Sequence, residues 1–192
     1  MPRRSILSAA EREGLLALPD TKDELIRLYT LSDIDLSIIG QHRGPANRLG
    51  FAIQLCYLRF PGAVLGVDDS PSQPLLRMVA AQIKVPVQSW DDYGLREQTR
   101  REHLVELQTM LGFHSFTTLS HYRAALHSLD ELAWQTDKGI VLARELVEGL
   151  RRKNVLLPSV GVIERICSEA ITRANRRIYA ALTDSLSAVN RQ

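Results

Sequence analysis

The sequence of 192 residues is long enough for one large domain or two small ones, and 45% hydrophobic with 24% charged residues is an ordinary globular composition. The formal net charge of +2 excludes a histone-like polycation. Two cysteines far apart in sequence and no run of about 20 apolar residues indicate a cytoplasmic protein with reduced thiols and no membrane span. The N-terminal residues also lack the apolar core of a signal peptide.

The first half of the chain reads as helices with clear start signals. Each of the first three begins with a capping-box pattern, in which a hydroxyl residue is followed three positions later by an acid: Ser8 with Glu11, Thr21 with Glu24, and Ser32 with Asp35. Gly44-Pro45 then breaks the chain and starts a longer helix over residues 46–60. A fifth helix is predicted to run to about residue 84, and Val85-x-Val87 is too isolated to predict a sheet.

The second half continues the helical pattern, with helices predicted over residues 95–110, 118–134 and 138–152. The last helix, residues 163–179, buries an aliphatic stripe that recurs at three- and four-residue steps: Ile163, Ile166, Cys167, Ala170, Ile171, Ala174 and Ile178. The sequence therefore predicts an all-α protein. We expect two small helix-turn-helix-like subdomains, at residues 1–88 and 95–156, and a basic C-terminal helix at 157–192.

Positive charge is concentrated at the C-terminal end. Residues 151–192 hold eight basic side chains against three acidic ones. Arg173, Arg176 and Arg177 fall outside the aliphatic stripe of the last helix, where they would clamp phosphates or lead into a further DNA-binding segment. Arginine makes up 20 of the 24 basic residues, and its planar fork suits phosphates and guanine edges, although a GC-rich genome would produce the same bias.

A first candidate surface lies in SDIDLSIIGQHRGPANRLGFAIQLCYLRFPG, where a short helix, a tight turn at Gly44 and the longer helix of GPANRLGFAIQLCYLRFPG have the order of a helix-turn-helix. Side chains that can read base edges share neighbouring edges of the long helix, with a further arginine at the turn: Arg43, Asn47, Arg48, Gln54 and Arg59. The alternative is a core helix with ordinary polar edges.

A second candidate surface lies in the segment REQTRREHLVEL. Arg96, Arg100 and His103 follow helical spacing along one face, Arg101 lies beside them, and Thr99 could bond a phosphate. The alternative is a solvated face, since acids at i,i+4 spacing can neutralise these arginines.

Both segments, together with LPSVGVIERICSEAITRANRRIYAALTDSL, resemble the N-terminal region of transposases of the Tn-three family, which drive replicative, class II transposition in bacteria. The three motifs occur in the family's order and cover essentially the whole chain. The resemblance implies sequence-specific binding of the transposon's terminal inverted repeats, with a DDE catalytic core much later in a full-length protein. The chain would then be an N-terminal fragment without the catalytic acids.

The residues predict no enzyme site within this chain. No Cys-x-x-Cys, His-x-x-x-His or phosphate-loop pattern is present, so we predict no catalytic residue, metal site or cofactor. The expected partner is double-stranded DNA, with the protein at the nucleoid when bound. The alternative function is a helical protein–protein module that pairs transposase subunits through Trp90, Trp134 or Tyr179.

Overall fold

The computed structural model describes residues 5–66, 69–95, 97–116 and 119–189. Within these ranges the chain forms ten α-helices and one short 3₁₀ helix, Val87–Trp90, with no β-strand. The α-helices in chain order are α1 (Ala9–Leu15), α2 (Lys22–Tyr29), α3 (Asp33–Gln41), α4 (Pro45–Arg59), α5 (Gln73–Ile83), α6 (Glu97–Leu111), α7 (Leu119–Ser128), α8 (Asp130–Gln135), α9 (Gly139–Arg152) and α10 (Val160–Val189). The all-α prediction is confirmed for the described part of the chain.

The chain divides into two compact units. The central unit is Ala17–His114, and the terminal unit combines the described residues up to Leu16 with those from Ser115 onward. The predicted boundary at residues 88–95 falls inside the central unit, because α6 packs against α4. Helix α1, predicted to belong to the first subdomain, packs instead on α9 of the terminal unit.

Local start signals account for where α3 and α4 begin. Ser32 caps α3 by accepting a hydrogen bond from the backbone N–H of Asp35, and the Asp35 carboxylate accepts one from the Ser32 backbone N–H at 2.8 Å. Gly44 adopts φ = 84°, a left-handed conformation that glycine enters without a steric penalty. Pro45 then occupies the first helical turn of α4, where no hydrogen bond is lost.

Helix α4 is the centre of the central unit. It contacts α2, α3, α5, α6 and the 3₁₀ helix, and nine of its residues are buried. Leu49, Phe51 and Ile53 are all fully buried although they point in different directions around the helix. A helix covered on most sides along its middle turns is a core helix, which is the alternative that the sequence left open for this segment.

The core of the terminal unit lies between α10 and α7, α8 and α9. The predicted stripe of α10 is buried at Ile163, Ile166, Cys167, Ala170 and Ala174, whereas Ile171 and Ile178 are only partly covered. The Glu164 carboxylate ties the N-terminal segment to α10, since it accepts a hydrogen bond from the Ile6 backbone N–H at 3.1 Å and pairs with Arg12 at 2.9 Å.

Two helices differ from their predicted extents. The segment predicted as one helix over 118–134 is divided into α7 and α8 at Leu129, a fully buried residue. Both short helices pack on α10. The last helix runs from Val160 to Val189, so the amphipathic pattern described over residues 163–179 covers only part of it, within the C-terminal segment predicted at 157–192.

Candidate nucleic-acid interface

An exposed cationic surface of the terminal unit lies on α10. Four arginines of α10 are exposed: Arg165, Arg173, Arg176 and Arg177. Arg165 and Arg176 lie opposite the buried stripe, whereas Arg177 follows Ala170 and Ala174 at seven- and three-residue steps, beyond the end of the buried part. Arg173 pairs with Glu169 at 3.2 Å. For the other three arginines, no carboxylate of the described residues lies within ion-pairing distance. Uncompensated guanidinium groups on a rigid helix form a surface suited to an anionic partner.

At the turn between α3 and α4, only some of the side chains predicted for the first candidate surface are exposed. Arg43 and Arg48 are exposed, and Asn47 is half-buried. The Asn47 side-chain amide donates to the Arg43 carbonyl at 3.0 Å, and the Arg48 Nε donates to the His42 carbonyl at 3.0 Å. These bonds brace the turn and hold two exposed arginines close together at the start of α4.

Two predicted contacts of the first surface are engaged within the central unit. Gln54 is 2% exposed, and its amide reaches the Leu65 carbonyl at 3.4 Å within the core. Arg59 has a carboxylate partner, because its Nη1 donates to Asp35 Oδ2 at 2.9 Å and its Nη2 to Asp35 Oδ1. Gln54 is therefore a core residue in this structure, and Arg59 joins the end of α4 to the start of α3.

The pairing with Arg59 also explains why the carboxyl group of Asp35 is ionised although it is buried. Asp35 is 4% exposed, and this desolvation alone would raise its pKa. Hydrogen bonds from Arg59 and from Ser32 outweigh the desolvation, so the pKa of Asp35 lies below its ordinary value. The carboxylate is thus charged at neutral pH and stabilises two helix ends at once.

In the second candidate surface, too, one predicted contact is exposed and another is bonded within the central unit. Arg96 lies outside the described residues, and Thr99 is half-buried. The Arg100 guanidinium donates to the Gly66 carbonyl at 2.7 Å and lies over the Tyr93 ring at 5.4 Å. Arg101 is 70% exposed at its side chain and makes only a long contact of 3.4 Å with Glu97. Arg101 is therefore open to an external partner, whereas Arg100 organises the loop after α4.

His103 does not share the exposed face on which the sequence placed it with Arg96 and Arg100. It is 6% exposed and lies in a cluster of rings, 4.6 Å from His42 and 5.3 Å from Phe51 between centroids. The Tyr93 hydroxyl lies 3.2 Å from His103 Nδ1. Burial first and the nearby charge of His42 second lower the pKa of His103 to about 4. The cluster joins α6 to the α3–α4 turn, and helical spacing in α6 alone gave no sign of it.

The described residues bring together no group of three or more histidine, cysteine or acidic side chains that could hold a metal ion. No helix in the described part of the chain combines the length and the apolar character that crossing a membrane requires. Cys56 and Cys167 are buried, and burial raises the pKa of each thiol to about 12, so both stay protonated at neutral pH.

Comparison with known families gives one match that spans most of the chain. The model of the family described as "Domain of unknown function (DUF4158)" matches residues 6–170. This range includes both candidate surfaces of the central unit and the packed part of α10 as far as Ala170.

Individual relatives are transposases of bacterial transposons. The chain is 72% identical over all 192 residues to the transposase for transposon Tn3926 of Escherichia coli. It is 55% identical over 187 residues, 97% of the chain, to the transposase for transposon Tn501 of Pseudomonas aeruginosa. It is 33% identical over 184 residues, 96% of the chain, to the transposase for transposon Tn1546 of Enterococcus faecium. The chain spans only 18–19% of the length of these relatives, at their N-terminal end.

Proposed function

Because this chain belongs to the DUF4158 domain family and matches the N-terminal part of Tn-three family transposases, we propose that it binds the terminal inverted repeats of a transposon as double-stranded DNA. The observation that carries the proposal is the exposed row of arginines on α10, three of which have no carboxylate partner among the described residues. Phosphate is the counter-charge that such a row would meet on a duplex.

Further exposed arginines support the proposal in the central unit. Arg43 and Arg48 at the α3–α4 turn and Arg101 on α6 have side chains directed to solvent. We assign them to phosphate contacts, with Asn47 and Thr99 as neighbours. Gln54, Arg59 and Arg100 are left out of this surface, because each is engaged within the central unit.

Two helical units on one chain would suit a long DNA site. Each unit alone would bind weakly, but a linked second contact forms at a high effective concentration, which raises the affinity of the whole. The chemical steps of transposition we assign to the part of the relatives that the chain does not span. On this proposal the protein works in the cytoplasm, at the nucleoid when bound.

Fluorescence anisotropy tests the proposal directly. The 192-residue chain is titrated against a duplex with the terminal inverted repeat of Tn3926 and against a scrambled duplex of equal composition, at several salt concentrations. We expect tighter binding to the repeat that persists near physiological salt, and an affinity for both duplexes that falls with salt. Equal affinity for the two duplexes would contradict sequence-specific binding.

A second candidate function is a module that pairs transposase subunits. The observation in its favour is the exposure of large aromatic side chains, since Trp134 is 48% exposed and Tyr179 70% exposed. Aromatic anchors are typical of interface hot spots. Analytical ultracentrifugation at low and high salt separates the candidates, because apolar self-association persists at a salt concentration that abolishes phosphate binding.

A further inference from the structure

The C-terminal half of α10 differs from the first half in what surrounds it. Up to Ala174 the helix packs on α7, α8 and α9, and a buried residue occurs in every turn. From Asn175 to Thr183 no side chain is buried, although the helix continues without a break. Most of the helical stabilisation of a protein comes from packing one face, so a straight, exposed extension is a feature that needs a partner.

One face of this extension carries a distinct set of side chains. Positions i, i+3, i+4, i+7 and i+11 share a helical face, and this series is occupied by Thr172, Asn175, Arg176, Tyr179 and Thr183. All five are exposed. The hydroxyl groups of Thr172 and Thr183 donate to carbonyls of their own helix. Asn175 and Arg176 have no hydrogen-bond partner among the described residues.

We propose that this face of α10 is a base-reading surface that enters the major groove of the transposon end, an inference that rests on the DNA-binding function proposed above. Asn175 and Arg176 contact base edges, and Arg173, on the adjoining edge, contacts a phosphate. The partner is double-stranded DNA because residues 170 to 183 of α10 hold three arginines and no acidic residue.

The dimensions of the helix fit this placement. An α-helix with its side chains is about 10–12 Å across, and the major groove of B-DNA is about 12 Å wide. The first half of α10 is flanked by three helices, so it is too broad to enter the groove. Residues 175–183 span roughly 13 Å, or two and a half turns, which is enough to reach several consecutive base pairs.

The side-chain chemistry fits as well. Asparagine can form two hydrogen bonds with the N6 and N7 edge of adenine, and arginine with the O6 and N7 edge of guanine. Asn175 and Arg176 are adjacent, so they reach neighbouring positions in the groove. A lysine in place of arginine keeps the charge but loses the planar fork. The substitution of Arg176 by lysine therefore tests base reading separately from attraction to phosphate.

The test compares matched variants of the 192-residue chain: Arg176→Lys and Asn175→Ala on the proposed face, and Arg123→Lys on α7, an exposed arginine outside every proposed contact. The readout is the ratio of affinities for the Tn3926 repeat and the scrambled duplex. We expect each of the first two variants to lower this ratio about 5- to 100-fold with an unchanged salt slope. Arg123→Lys should leave both the ratio and the salt slope unchanged.

The outcomes separate this inference from the function on which it rests. If the unmodified chain prefers the repeat and Arg176→Lys and Asn175→Ala keep that preference in full, the base-reading face is refuted while the proposed function stands. If the unmodified chain shows no preference, both fail together. Protection of guanine N7 from methylation by the unmodified chain, lost in Arg176→Lys, would place the contact in the major groove.

Discussion

At the residue scale, arginines with the same predicted role have different positions in the structure. Arg48 is exposed and bonds only a backbone carbonyl, whereas Arg59 makes two hydrogen bonds to the buried carboxylate of Asp35. Removing one partner of a buried charge pair leaves the other uncompensated, while removing an exposed side chain changes stability little.

Substitution of these two arginines should therefore affect different properties: the stability of the fold for Arg59 and DNA binding for Arg48. Arg59→Ala is expected to lower the free energy of unfolding by about 2 kcal/mol. Arg48→Ala is expected to change it by less than about 0.5 kcal/mol and to weaken DNA binding. Urea denaturation and anisotropy titrations measure the two effects. A stable Arg59→Ala variant with weakened DNA binding would return Arg59 to the binding surface.

The buried ring cluster predicts a pH dependence of stability. The pKa of His103 is about 4 in the folded chain, mainly because of burial, against 6.5 for an ordinary histidine, and the pKa of His42 is also lowered. Between pH 4 and pH 6.5 the unfolded chain therefore binds more protons than the folded chain. The contribution of His103 to stability is therefore complete above pH 6.5 and is lost as the pH falls toward 4. Charges on Glu102 and Glu106 oppose this loss in part.

Urea denaturation at pH 7.5, 6.0 and 5.0 measures this effect. We expect the unfolding free energy to fall across the series, and His103→Gln to show a weaker dependence on pH, since glutamine does not titrate. The carboxyl group of Asp35 does not contribute in this window, because its pKa lies below 3.8. Equal pH dependence in the variant and the unmodified chain would contradict the role of His103.

At the scale of elements, the packing of α4 against the segment after the 3₁₀ helix depends on one small residue. A Cβ added at Gly50 would stand 2.0 Å from Cδ2 of the Tyr93 ring. This ring also contacts His103 and lies under Arg100, so it cannot withdraw without disturbing α6. The close approach of α4 to Tyr93 thus requires glycine at position 50.

Gly50→Ala should destabilise the central unit by roughly 1–3 kcal/mol, the usual cost of overpacking a core. The matched control is Gly40→Ala on α3, where an added Cβ meets nothing within 4 Å. Alanine has a higher helix propensity than glycine, so the control should be neutral or stabilising by up to about 1 kcal/mol. Thermal melts followed by circular dichroism compare the two. Equal melting temperatures would contradict the close approach.

At the scale of the whole molecule, the division into units determines which fragments fold. Helix α6 covers Phe51 of α4 through the ring of His103, so a fragment that ends before α6 exposes a core face. The terminal unit is built from both ends of the chain, which brings Glu164 to Ile6 and Arg12.

We expect a fragment of residues 17–114 to fold alone with a cooperative thermal transition, and the matched fragment 17–88 to lack one. Circular dichroism and size-exclusion chromatography distinguish the two results. Cooperative folding of 17–88 would instead support the boundary that the sequence predicted between residues 88 and 95, with α6 as part of a separate subdomain.

The sequence by itself determined the helical class, most helix starts and the buried stripe of α10. These features depend on contacts between residues three or four apart, such as the capping box of Ser32 and Asp35 or the recurrence of Ile163, Ile166 and Ala170. Such contacts form whichever way the helices later pack, so a pattern along the chain is enough to predict them.

Only the tertiary structure decided which polar side chains of those helices face solvent. The pairing of Arg59 with Asp35, the burial of Gln54 and the enclosure of His103 each depend on a neighbour from another helix. Helical periodicity gives the angle between two side chains on one helix, but it does not say how many sides of that helix other helices cover. Helix α4 is covered on most sides and residues 175–183 of α10 are not, and this difference leads us to place base reading on α10.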